Sequence, residues 1–207
     1  MKNFIEDMGI TGHLQIAKVY STGNEEVVFD DHNIIVSGMG VGLAQLFSLS
    51  GPGSILDYQI DRFQIGVGGD SVTENVEINA LNANLTSLEE YGENAMLYVI
   101  EGYHAFSYSN ISINREWFGY IPQHKVSKVG DSSVRYTITI DKDAANTLET
   151  TRGAGSGINE IGLFMKNPLG DRNQAGYDTS ILVAYRKFRT IVKTDDFALV
   201  FRWTINW

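Results

Sequence analysis

The chain has 207 residues, with 16 Lys+Arg against 25 Asp+Glu and a formal net charge of −9, which argues against a protein that grips a phosphate backbone. It has no cysteine, so disulfides, thiolate zinc sites and cysteine nucleophiles are excluded together. A hydrophobic share of 43%, 20% charged residues and only 3 prolines describe a chain that buries a core, while 21 glycines call for many turns.

Residues 1–12 read as an N-terminal arm, and residues 13–207 as a single β-rich domain with a variable insertion at about 71–151. Met1–Met8 carries acidic residues where a signal peptide would be apolar, and no long apolar run suggests a membrane span. The expectation is a soluble protein made in the cytoplasm. Phe4, Ile5, Met8 and Ile10 make the arm apolar enough to dock on a neighbour.

His13–Tyr20 alternates as a strand with Leu14 and Ile16 inward, Ser21–Glu25 is a turn, and Glu26–Asp30 returns, predicting a hairpin. Asn33–Val36 is a short apolar strand. The period then changes. Val41–Leu49 predicts a short helix with Val41, Ala44 and Leu46 or Leu49 on one face, opened by Ser37–Gly38 and ended by Ser50–Gly53.

Tyr58–Val67 reads as a half-buried strand through Ile60, Phe63, Ile65 and Val67, closed by a glycine-demanding turn at Gly66–Asp70. Ser71–Glu93 lacks periodicity and is either a long loop or a loop with a second short helix. Ala95–Ile100, Tyr108–Ile113, Trp117–Ile121 and Arg135–Ile140 read as strands, the last being the cleanest, with Tyr136, Ile138 and Ile140 on one side. Ile158–Met165, Ile181–Phe188, Thr190–Val192 and Phe197–Asn206 complete the series. The fold class is therefore mostly β: an antiparallel β-sandwich-like domain with one or two short helices.

A search for chemistry returns little. His13, His32, His104 and His124 share no metal-ligand spacing. Gly153–Gly157 lacks the Lys-Ser/Thr of a phosphate loop and leads into a strand. No Ser stands in a nucleophile elbow, and no pair of carboxylates is singled out. Arg186, Lys187, Arg189 and Lys193 form a local basic cluster, read as outward residues of a strand. The reading is of a non-enzymatic protein with no cofactor and no metal.

Aromatics are the informative residues. Tyr91, Tyr103, Phe106, Tyr108, Trp117, Phe118, Tyr120 and Tyr177 lie mostly in polar or irregular stretches, where they either close a small core or meet a neighbouring subunit. Trp207 follows directly on a strand, and its burial would tie that end into a sheet or an interface. Together with Phe4 and Ile5, these are the candidate subunit-interface residues.

Four blocks in order carry a resemblance. They are Asn33-Ile-Ile-Val36 followed by Gly38 and a helix, Ile65-Gly66-Val67-Gly68, Ile158-Asn-Glu160-Ile-Gly162-Leu-Phe164, and Lys193-Thr194 followed by Phe201-Arg-Trp203-Thr-Ile205. In that order they resemble a family of bacteriophage tail-associated structural proteins. The blocks cover the N-terminal third and the last fifty or so residues; the span from about Ser71 to Thr151 has no counterpart and lacks the Thr-Ala-Pro segment of the family pattern. The resemblance implies a virion subunit of the baseplate, neck or fibre-attachment region that acts by oligomeric assembly. Its partners would be itself, as a ring or trimer, and other virion proteins, with no nucleic acid and no membrane. The alternatives are a host-receptor or carbohydrate-binding module facing a bacterial surface glycan, and a head-decoration or head-fibre protein.

Overall fold

A computed structural model describes residues 9–48, 58–66, 74–77, 81–85, 88, 119–146, 157–165 and 180–207. The predicted hairpin is its first element: Thr11–Tyr20 is strand β1 and Glu25–Ile35 is β2. Gly23 turns the chain at a left-handed φ of 86°, and its N–H donates to the Tyr20 carbonyl. The strand expected separately at Asn33–Val36 is the end of β2, so the hairpin arm and that block form one continuous strand.

Helix α1 spans Ser37–Phe47. The strands that follow are β3 (Ile60–Gly66), β4 (Gly119–Tyr120), β5 (Val126–Gly130), β6 (Ser133–Ile140), β7 (Ile158–Met165), β8 (Ile181–Ile191) and β9 (Phe197–Asn206). Their order in the sheet is β4-β3-β7-β8-β2-β1-β9-β6-β5, and each recorded pairing is antiparallel. Strand β6 lies along β9 from Ser133 to Ile140, so this part of the span without a counterpart belongs to the sheet itself. Strand β5, with two valines among small and charged residues, has too little alternation to be predicted.

The sheet curls. Phe188 of β8 and Phe201 of β9 have ring centroids 6.4 Å apart, although β2 and β1 lie between their strands in the sheet order. The two halves therefore face each other across one core, as a sandwich does. Leu14, Ile16, Phe63, Ile65, Ile161, Leu163, Phe188, Phe201 and Trp203 are all buried there. The outer strands also come near each other, because residues 121–125 alone carry the chain from β4 to β5, a reach of about 20 Å at most. Ile121 is buried in the core, and its N–H donates to the Asp61 carbonyl at 2.8 Å.

Bulges explain where strict alternation fails. In β3 the register shifts between Ile60 and Arg62, so Ile60 and Phe63 reach the same core despite their odd spacing. In β7 a shift between Ile158 and Glu160 does the same for Ile158 and Ile161. β9 has no such shift and alternates between buried and half-buried along its whole length, between β1 and β6. The β3–β7–β8 half is buried on its second face too. Ile34, Val36, Phe164, Leu182 and Tyr185 meet Leu81 and Leu88 there, with Val76 and Leu85 alongside. Among the described residues of Ser71–Glu93 there is no helix; they are turn and irregular chain capping this second cluster.

The helix presents a different face from the one expected. Met39 and Gly42 are buried and Leu43 and Leu46 half-buried against the core, whereas Val41 and Ala44 point to solvent. The cause is glycine. A side chain at Gly38 would strike the Leu182 carbonyl, and one at Gly42 would strike the Met165 sulfur, so small residues set the contact. Leu49 and the stop at Ser50–Gly53 lie outside the described residues, as do Val67–Asp70, Ala95–Ile100 and Tyr108–Ile113.

Helix propensity alone predicts that Gly38→Ala stabilises the protein by about 0.8–1 kcal/mol. The geometry predicts the reverse: a loss of about 1–3 kcal/mol in urea denaturation, since the added methyl meets backbone. Val41→Ser, on the exposed face, should change stability by no more than about 0.5 kcal/mol.

Candidate assembly surface

Of the predicted interface residues, Phe4, Ile5, Tyr91, Tyr103, Phe106, Tyr108, Trp117, Phe118 and Tyr177 lie outside the described residues. Tyr120 is placed by its backbone in β4, opposite Arg62. Trp207 is 43% exposed in the single chain, and its backbone N–H donates to the Ser132 carbonyl at 2.9 Å.

The quoted sequence blocks meet in space. Gly66 of β3 stands opposite Glu160 of β7, and the Glu160 carboxylate fills the space a side chain at Gly66 would need. Glu160 is fully buried and accepts a 3.0 Å hydrogen bond from the Tyr185 hydroxyl. Tyr185 in turn pairs with Ile34 near the end of β2. A buried carboxylate persists only where such donors reach it. Gly162 lies beneath Leu182 and Leu88, which approach too closely for a side chain.

The Lys-Thr block has a comparable explanation. Lys193 is buried, and its ammonium donates to the Thr194 carbonyl at 2.6 Å, Asn146 Oδ1 at 2.8 Å and the Lys142 carbonyl at 3.0 Å. Burial pulls its pKa down, and the carboxylates of Asp143, Asp195, Asp141 and Asp196 oppose that pull. Lys193 thereby fastens the connection after β6 to the turn before β9. Arg186 is also buried: it donates to Asp31 Oδ2 at 2.9 Å and stacks on the Phe29 ring, 4.9 Å from its centroid. The expected outward basic cluster is thus corrected. Arg186 and Lys193 point inward, Lys187 is half-buried, and Arg189 alone of the four is exposed.

The solvent face of the β2–β1–β9–β6–β5 half carries polar side chains in register. Arg202 holds Glu25 through both carboxylate oxygens, at 2.6 and 2.9 Å, and donates to Gln15 Oε1 at 3.0 Å. Gln15 donates to Asp30 Oδ2 at 2.9 Å, and His13 Nε2 lies 2.8 Å from Asp30 Oδ1. Arg135 donates to Thr204, and Ser133 to Asn206. Among the described residues, no cluster of three or more His, Asp or Glu is arranged to hold a metal ion, and no helix is long and apolar enough to cross a membrane.

Among the described residues this half has two open edges. Strand β5 hydrogen-bonds only to β6 among the described residues. Strand β2 joins β8 only at Ile34 and Ile35, so on that side Glu25–Asp31 has no strand neighbour among the described residues. Sequence reasoning missed both edges, because they depend on β5 and on the divergence of β2 from β8. Compared with protein-family models, curated proteins and solved structures, the chain matches none of them.

Two measurements test these contacts. Lys193→Met strands three acceptors and should cost about 1–3 kcal/mol in chemical denaturation. Hydrogen bonds from Arg202 hold the Glu25 carboxyl below its ordinary value of 4.5. A carboxyl lowered in the folded state stabilises at pH values above its unfolded pKa and loses that contribution as pH falls through the folded value. An NMR titration should therefore find the Glu25 midpoint below 4.5, and Arg202→Gln should move it upward.

Proposed function

We propose that this chain is a structural subunit of a bacteriophage virion, most specifically of the tail, in the baseplate, neck or fibre-attachment region. It works by assembling with copies of itself and with other virion proteins and performs no catalytic step. One observation carries the reading: the sequence blocks of the resemblance are neighbours in the fold. Ile34 of the first block lies beside Tyr185, Tyr185 donates to Glu160 of the third, and Glu160 fills the space over Gly66 of the second. The last block supplies buried Lys193 and the core residues Phe201 and Trp203. A motif set in which three members converge on one buried arrangement and the fourth supplies buried residues elsewhere behaves as a scaffold signature, since it preserves packing and leaves the surface open to variation.

A scaffold of this kind suits assembly. Its core is continuous across both halves of the sheet, and its solvent face is polar. The test is to purify particles of the phage that encodes the chain and locate it by mass spectrometry and electron microscopy. The expected outcome is incorporation at a tail position with ring or trimer symmetry. A monomer that binds bacterial surface glycans, with no place in the particle, would favour the receptor-binding alternative. Copy numbers far above those of a tail ring would favour head decoration.

A further inference from the structure

We infer that the chain associates head to tail by strand addition, with the β5 edge of one copy pairing against the open Glu25–Asp31 edge of β2 in the next. The inference rests on the reading of the chain as a self-assembling subunit and assigns the surfaces that do it. The two edges lie at opposite ends of the same five-strand half-sheet, β2-β1-β9-β6-β5. Each presents backbone N–H and C=O groups with no strand neighbour among the described residues, which is the template strand addition uses.

Their charges are opposite. The β5 edge carries Lys128, with Lys125 in the turn just before the strand and Arg135 on the adjoining strand, and none of the three has an ion-pair partner among the described residues. Unpaired cations grouped on one edge are unexpected in a chain with 25 acidic and 16 basic residues. The β2 edge carries Glu25, Glu26, Asp30 and Asp31, all exposed and contacted within the chain by Arg202, Lys18, His13 and Arg186 respectively, interrupted by the exposed apolar residue Val27. Val129, 45% exposed, gives the β5 edge a matching apolar contact. A contact between two different patches on the same molecule is heterologous, so repetition closes a ring or extends a filament. Strand pairing would supply affinity, and the charges would set polarity and suppress β5–β5 and β2–β2 contacts.

The test uses the full chain in native mass spectrometry and mass photometry. The expected wild-type result is a multimer that dissociates as salt is raised. Lys125→Glu with Lys128→Glu should weaken self-association by about tenfold or more. Adding Glu26→Lys to that same chain should restore it, because the reversed edges again match. Should a variant fail to fold, zero-length carbodiimide coupling of the wild type replaces it; mapped links should join Lys125 or Lys128 of one copy to Glu25 or Glu26 of another. A strictly monomeric wild type would overturn the inference, with the edge lysines then serving to keep strands of different copies apart. So would multimers whose links map elsewhere, or whose stability ignores the reversals. Incorporation into particles without these links defeats the inference alone, whereas absence from particles defeats the virion reading.

Discussion

The architecture depends on a divided allegiance in β2. From Val19↔Glu25 to Gly12↔Asn33 this strand belongs to β1, and at Ile34 and Ile35 it passes to β8. That transfer is what joins the two halves of the curled sheet. It leaves a gap where β2 and β8 part, and polar groups from several elements fill it. Arg186 lies in the gap against Phe29 and Asp31, and the Arg189 N–H, lacking a strand partner, donates to the Asn75 side chain at 3.0 Å. Burying a guanidinium costs several kcal/mol unless it is paired, so the Asp31 contact offsets a cost that the divergence creates.

Glycine governs the other half. Gly38 and Gly42 let α1 approach β7 and β8, Gly66 leaves room for the Glu160 carboxylate, and Gly162 lies beneath Leu182 and Leu88. Each missing side chain is replaced by a specific neighbour, so the spaces are filled and the interior stays close-packed. This ties separate stretches of sequence to one another more firmly than hydrophobicity alone would. A residue larger than glycine at any of these places must move a partner from another element.

Legibility followed regularity. Phe197–Asn206 and Arg135–Ile140 were readable because their buried residues alternate without a break, and Leu14 and Ile16 were placed inward for the same reason. The register shifts next to Asp61 and Asn159 were not readable, since a bulge converts alternation into a spacing that periodicity treats as noise. The helix is legible, but its buried face is not: hydrophobic periodicity weights large residues, and here Gly38 and Gly42 set the approach that buries Met39. Arg186 and Lys193 were read as surface cations because composition carries no information about the Asp31, Asn146 and carbonyl oxygens that receive them. Most of the aromatic residues nominated for subunit contacts lie outside the described residues, whereas the surfaces that emerge from the fold are strand edges, which no side-chain pattern announces.

The register of β1 against β9 reaches almost from end to end of the chain, pairing Thr11 with Asn206. Contacts between residues so distant in sequence slow folding, because a long loop must close before they form. The β1–β2 hairpin is made well before β9 and has to wait for it before one of its sides is covered. During that wait the hairpin has open hydrogen-bonding groups on both sides, and in the finished fold Glu25–Asp31 has no strand neighbour on β2's outer side among the described residues. Acidic residues along that outer side, in a crowded pool of identical nascent chains, repel their counterparts and keep early pairing between unfinished copies in check.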